Sequence, residues 1–441
     1  MRRAAFLLPL LVVPLAVLPA ACGDGSSTVA DGSSPAPAPL AAAIDGLGPT
    51  SLIEGRDGNL YGVTGGGGDF GAGTVFKATP EGQETVLYSF AGGSADGANP
   101  DTLVQGNDGN FYGVTSSGGI SACTARGGAP AYAKNPGPIQ CGTVFELTPE
   151  GEETILYLFT GGADGGLPMS LIQGNDGYLY GLANEGGIVN TDTGAGGGGV
   201  VFRITGPGSE QALYAFDDSA GNGASPQSLM QATDGTFYVT TYLGGAADLG
   251  AIVRVTTGGE ESVLYSFLGG ADGQFPRAPL LEWSDGNFYG VTQFGGTSGR
   301  GTFFQLTLSG QETVLYQFGS NTAGGLYPQT LVAGSSGQFV GVTSSGGLVS
   351  ACGGLGCGTV YQITPSGAEL ALYQFDPYTY ENVTSEPGVA AVIQMADGTL
   401  YGITTSGGVA MSTGGGGTLF SLSLDGVFTT LYEFGSGAAA P

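Results

Sequence analysis

The chain has 441 residues, 87 of them Gly, and a formal charge of −27 with two Lys, eight Arg and no His. So many glycines exclude a helical protein, because each interior Gly costs a helix roughly 0.5–1 kcal/mol relative to Ala. The charge excludes nucleic acid and anionic lipid headgroups as partners. The missing His removes every Ser-His-Asp or Cys-His mechanism and all His-ligated metal sites.

The N-terminus opens Met1-Arg2-Arg3, followed by an apolar run from Ala4 to Ala21 that Pro9, Pro14 and Pro19 interrupt. This is the layout of a secretory leader rather than a membrane span. Its end, Leu18-Pro19-Ala20-Ala21-Cys22, resembles a bacterial lipoprotein signal. The resemblance implies a leader over 1–21 and a lipid on Cys22, which becomes the mature N-terminus; ordinary cleavage near Ala20 or Ala21 is the alternative. Residues 22–49 are dominated by Gly, Ser, Ala, Pro and Asp and read as a flexible tether, and 435–441 as a featureless tail. The expected address is outside the cytoplasm: a monomer anchored to the outer membrane, on its periplasmic face or at the cell surface, touching lipid only through Cys22.

From residue 51 the chain writes one unit seven times. Its first half, Ser51–Thr64, returns at 102–115, 170–183, 228–241, 279–292, 330–343 and 391–404. Its second half, Gly73–Phe90, returns at 142–159, 199–216, 250–267, 301–318, 358–375 and 417–434. A chain of this length would ordinarily divide into two or three domains, but stacked repeats share one core. Asp57-Gly58 separates two short apolar runs, and Pro80-Glu81-Gly82 separates two more. Both are tight-turn signals, so each unit is four short antiparallel strands, A to D. Strand D carries Leu87-Tyr88-Ser89-Phe90, and simple alternation places Leu on one face and Tyr and Phe on the other. A strand apolar on both faces must be covered on both, which one unit cannot do alone. Four-stranded units repeating near fifty residues predict an all-β, seven-bladed β-propeller over 50–434. The blades fall at about 51–100, 101–168, 169–226, 227–277, 278–328, 329–388 and 389–434. No Leu-Tyr-x-Phe precedes residue 51, so ring closure rests on packing between blades 1 and 7 unless 40–44 adds an edge strand.

The motif L-[IV]-[EQ]-G-x-D-G-N-[LF]-Y-G-V-T … G-T-V-F-x-[IL]-T-P-x-G-x-x-T-[VI]-L-Y-x-F resembles the GloVer tandem repeat of exported bacterial proteins, across 51–434. The resemblance implies a propeller with a surface anchor and attaches no activity. Copy 4 departs most, with Val239 for the glycine after Tyr and Gly250-Ala251-Ile252-Val253 for Gly-Thr-Val-Phe; copy 6 has Val340 for the Tyr.

A–B and C–D turns are short throughout, whereas B–C and D–A loops vary, with the longest B–C loop at 116–141. In an A–B–C–D meander the two variable loop sets share one end, and such rims carry binding in repeat proteins. Cys123 and Cys141 occupy the B–C loop of copy 2, and Cys352 and Cys357 that of copy 6. In an exported chain they are expected as two disulfides, with metal ligation as the rival.

Candidate chemistry rests on carboxylates and amides. Asp69 and the recurring Asp96, Asp164 and Asp272 face the variable rim, where they either contact a ligand or Ca²⁺ or shape their loops through Asx-turns. Glu54, Gln105, Gln173, Gln231, Glu282 and Gln394 end strand A, nearest the axis. They form either a ring lining the channel or a set of bonds between blades. No cofactor is implied. Two functions lead: a non-catalytic scaffold holding a glycan or protein on the rim, or a glycan-cleaving enzyme using two of Asp69, Asp96, Glu185, Asp192 and Asp248; a purely structural envelope component is the third reading.

Overall fold

The computed structural model describes residues 45–120, 123, 140–187, 197–217, 221–320, 324–348, 352, 355–375, 388–408 and 416–435. The leader, Cys22, residues 40–44 and Asp192 lie outside the described residues. Those described form seven antiparallel sheets, with no α-helix among them. In blade 1, strand A (Gly46–Glu54) pairs with B (Leu60–Gly67), B with C (Thr74–Ala78) and C with D (Glu84–Ser89). The other six blades repeat that order, giving the expected seven-bladed propeller. In blade 5, strand A is interrupted into Gln274–Pro276 and Leu281–Glu282.

The motif residues find specific uses. In the A–B turn Gly58 takes φ 76°, and Asp57 accepts from the Asn59 amide at 3.1 Å and from the Tyr61 hydroxyl at 2.9 Å. The Tyr of Tyr-Gly-Val-Thr therefore braces its own turn. The following glycine, Gly62, lies opposite Phe76 across the B–C pair, and a Cβ there would stand 2.5 Å from the ring. The bare glycine lets the ring lie over the backbone. Blade 4 changes both partners together, pairing Val239 with Val253, which accounts for the departure of copy 4.

Strand D differs from simple alternation. The C–D register shifts between Val75 and Phe76, so that Val75 faces Tyr88, Phe76 faces Val86, and Leu87 is the extra residue of a bulge. A bulge puts neighbouring side chains on one side of the strand. Leu87, Tyr88 and Phe90 all pack into the cluster shared with blade 2. The same is true of Leu156, Tyr157 and Phe159 toward blade 3, and of Leu431, Tyr432 and Phe434 toward blade 1. The opposite face is covered by the residue before the bulge, as when Ile155 packs back on the blade 1–2 cluster.

Apolar burial thus lies between blades rather than within them. Each of seven buried clusters draws on two neighbouring sheets. The seventh joins Tyr401, Ile403, Leu419 and Phe434 to Leu52, Leu60 and Phe76, and so closes the ring. A backbone clasp repeats beside these clusters. The amide before the strand-A proline donates to a carbonyl just ahead of the preceding blade's strand C: Asn99 to Ala72 at 2.8 Å, Leu167 to Cys141 at 2.9 Å, Phe275 to Leu249 at 2.8 Å. At the closing junction Gly48 donates to Gly416 at 2.7 Å in the same way. Closure therefore uses the ordinary blade-to-blade contact, and Gly46–Glu54 is simply strand A of blade 1.

Candidate functional site

In blades 2, 3, 4 and 6 the B–C loop touches the D–A loop before it. Gly119 donates to Gly93 and Asp96 carbonyls at 2.9 and 3.0 Å, Gly187 to Gly162 at 2.8 Å and Gly245 to Asn222 at 2.6 Å. The two loop sets therefore form one rim. Both disulfides are formed, Cys123–Cys141 and Cys352–Cys357. Cys141 and Cys357 are fully buried in the blade 2–3 and blade 6–7 clusters, so each staple ties a rim loop to the core.

The rim aspartates have different fates. Asp69 is exposed in the B–C loop of blade 1. Asp96 is buried and accepts from the Ala91 and Gly97 amides, both at 2.6 Å, and from the Tyr88 hydroxyl at 3.2 Å. Asp164 accepts from the Thr160 amide at 2.7 Å and Tyr157 at 3.1 Å; Asp272 from the Leu268 amide at 2.6 Å and Tyr265 at 2.7 Å. These three shape their loops and anchor the strand-D tyrosine. Asp248 accepts from the Gly244 amide at 2.8 Å, and burial raises the Glu185 carboxyl above its ordinary value. Among the described residues no group of three or more Asp, Glu, Cys or His is placed to hold a metal.

A set of carboxyls that the sequence reading passed over meets these aspartates. Strand D of the following blade begins with Glu, and Glu153 comes beside Asp96, Glu210 beside Asp164, Glu312 beside Asp272, and Glu84 beside Asp45. Burial, then the neighbouring carboxylate, pushes each of these four glutamates up to about 7. Glu261 and Glu369 are raised too, chiefly by burial. All six keep a buried Oε1 with no hydrogen-bond partner. Tyr432 donates to Asp45, so the closing junction carries the same trio as the junctions of Asp96, Asp164 and Asp272. The signal was in the sequence: Glu recurs at 84, 153, 210, 261, 312 and 369, and Asp45-Gly46-Leu47-Gly48-Pro49 repeats Asp96-Gly97-Ala98-Asn99-Pro100.

The polar residues ending strand A act across junctions. Gln105 Oε1 accepts from the Arg56 amide at 2.9 Å while its Nε2 donates to Gly109 O at 3.0 Å. Gln173 brackets Asn107 and Gly177, Gln231 brackets Asn175 and Gly235, and Gln394 brackets Ser335 and Gly398. Glu282 accepts from the Thr233 amide at 2.7 Å. Glu54 is exposed.

The rim also holds an aromatic ladder that the sequence reading did not single out. Tyr242 lies near the end of strand B of blade 4, Phe275 and Phe294 lie in strands A and B of blade 5, and Tyr327 lies in strand A of blade 6. Ring centroids are 4.5 Å apart from Tyr242 to Phe275, 6.0 Å from Phe275 to Phe294 and 5.2 Å from Phe294 to Tyr327. All four rings are part-exposed. Arg277 lies over Tyr242 at 5.9 Å and Arg300 over Tyr327 at 5.7 Å. Phe275 and Tyr327 both have φ 59°, in a left-handed region that bulky residues rarely adopt. The equivalent position is Gly48 in blade 1, Asn99 in blade 2, Leu167 in blade 3 and Ser225 in blade 4, at φ 61°, 54°, 52° and 53°. The clasp demands the left-handed turn, and blades 5 and 6 fill it with rings.

Several solved structures are similar to this chain at low sequence identity. A Mycobacterium tuberculosis puromycin-hydrolyzing peptidase is 14% identical with a TM-score of 0.52, over 91% of this chain and 56% of that protein. A putative 6-phosphogluconolactonase from Bacteroides uniformis is 15% identical with a TM-score of 0.48, over 81% and 90%. A gluconolactonase from Xanthomonas campestris is 13% identical with a TM-score of 0.37, over 69% and 86%. The chain spans little more than half of the peptidase, and at such identity the likeness to the peptidase is one of fold alone. None of the curated proteins matches the chain in sequence. Residues 188–386 match the family model of the Gloeobacter/Verrucomicrobia repeat.

Proposed function

We propose that the chain is an exported, lipid-anchored propeller that binds a glycan or protein without transforming it, at the end where B–C and D–A loops meet. One observation carries this reading. Loop-length variation, both disulfides and the left-handed aromatics fall on that rim, while the other end is closed by short repeated turns. Stapled loops and rings held by a rigid scaffold lower the ordering cost of binding. The disulfides suit folding in an oxidising compartment. Two carboxylates considered for glycan cleavage, Asp96 and Asp248, accept backbone amides of their own loops, which favours a bracing role over acid–base work. Arrays of glycans and of envelope proteins probed with the purified chain test the reading. We expect capture of one ligand class, weakened by substitutions on the rim or by cutting its B–C loops to the length of 65–72, and untouched by changes in the A–B and C–D turns. Silence on both arrays, or capture that survives this trimming and every rim substitution, would overturn it. Anchoring is checked by Cys22→Ser, which should move the protein from the membrane fraction to the soluble one.

A further inference from the structure

We propose that the ladder Tyr242–Phe275–Phe294–Tyr327, with Arg277 and Arg300 at its flanks, is the ligand subsite of the rim and that it takes a short uronate-bearing oligosaccharide. This rests on the rim-binding reading above and names its ligand class.

Three observations lead there. The first is the strain just described: a bulky side chain at a left-handed position costs on the order of 1–2 kcal/mol, and Asn or Gly would fill the same turn more easily. Blade 3 places Leu167 there, and the adjoining blades 5 and 6 place two rings, Phe275 and Tyr327, both part-exposed. The second is the join between blades. Four rings from three consecutive blades run together on one rim, Tyr242 stacked on Phe275, Phe294 edge-on to Phe275 and Tyr327 tilted against Phe294, and their part-exposed surfaces make one apolar patch against which a pyranose ring can lie. The third is charge. Of the six cations among the described residues, Arg56, Lys77, Arg203 and Arg254 lie in the A–B turn or toward the C–D end of strand C; only Arg277 and Arg300 stand on the rim. Both lie over rings of the ladder, where a guanidinium can meet a carboxylate through two parallel N–H donors. A densely charged polyanion would be repelled by the rest of a chain of formal charge −27. A saccharide with one carboxylate per ring fits two arginines set among four aromatics. A protein partner would need roughly 800 Å² of surface per side, far beyond four half-covered rings.

Isothermal titration of the whole chain with oligogalacturonate, its methyl ester and a neutral cello-oligosaccharide tests the assignment. The acid form should bind at least about tenfold tighter than the ester. Arg277→Gln with Arg300→Gln should remove that preference, so that acid and ester bind alike. Phe275→Asn and Tyr327→Asn should each weaken binding about tenfold or more while the melting temperature stays level or rises, since Asn accepts the left-handed turn. Equal affinity for the three saccharides, full affinity in Phe275→Asn, or tighter binding of a poly-glutamate peptide would overturn it. If the arrays yield a ligand that all these variants still hold, the ladder assignment fails and the rim reading stands. If the arrays and every titration are silent, both fail.

Discussion

Raising the pH from 5 to 8 should loosen the propeller at its outer junctions. Glu84, Glu153, Glu210 and Glu312 each titrate near 7 in the folded chain, against an ordinary value of 4.5, because each is buried beside an aspartate of the neighbouring junction. A carboxyl whose folded value is raised adds stability that is complete below about 4.5 and is lost as the pH climbs through about 7. At full strength the gap corresponds to about 3 kcal/mol per group. These side chains keep part of their surface in water, and screening reduces the figure to about 1 kcal/mol each, or roughly 4 kcal/mol for the four. For a folded span of this length the unfolding entropy is near 0.8 kcal/mol/K, so the expected fall in melting temperature between pH 5 and pH 8 is about 5 °C. The assay is thermal unfolding by circular dichroism at fixed, high ionic strength, which damps the general repulsion of an acidic chain. The control is the fourfold variant E84Q/E153Q/E210Q/E312Q, in which a neutral amide replaces each protonated acid. It should melt higher than the native chain at pH 8 and show a much flatter pH profile. A native profile that is level or rises from pH 5 to 8, or a fourfold variant with the native slope, would refute the argument.

The closing junction offers a second test. A Cβ on Gly417 would stand 2.2 Å from Thr404 O and 2.7 Å from Pro49 Cδ, whereas one on Gly109 meets nothing within 4 Å; both glycines have positive φ. Gly417→Ala should therefore cost about 3 kcal/mol or more in denaturant unfolding and Gly109→Ala only about 1 kcal/mol; similar costs would mean the close approach does not matter. Cys123→Ser with Cys141→Ser opens a bridge between residues 18 apart, and Cys352→Ser with Cys357→Ser one between residues 5 apart. Loop entropy assigns about 3 and about 2 kcal/mol, so the first pair should lower the melting temperature more. Gln173→Ala strips the bracket from the Asn107 amide and Gly177 carbonyl and should cost about 1–2 kcal/mol, read by chemical denaturation, with Gln173→Glu recovering part of it.

Much of this protein was legible in one dimension because its repeats restate each local rule seven times. Asp-Gly turns, the Tyr-Gly-Val-Thr strand and the paired cysteines are short-range chemistry, and their recurrence alone fixes four-stranded blades and their number. The early start of strand A was not legible. Gly97-Ala98-Asn99-Pro100 shows no alternation, and its strand character comes from pairing with Gly118 and Thr115. The faces of strand D were misread for a similar reason, since the bulge at Leu87 arises from the register with strand C. The part played by Gln105, whether lining an axis or holding a neighbour, depended on where the Arg56 amide of another blade arrives.

The sequence by itself determined the unit, its count and the end of the blade on which variation collects, because turns and alternation act within a few residues. Only the tertiary structure decided what those units do to one another. Closing the ring brings Asp45 to Tyr432 across nearly the whole chain and sets acids of neighbouring sheets side by side. It also assembles Tyr242, Phe275, Phe294 and Tyr327 from three repeats into one surface. These are contacts between residues that occupy different places in different copies, so no single repeat contains them; they follow from the rotation that carries one blade onto the next.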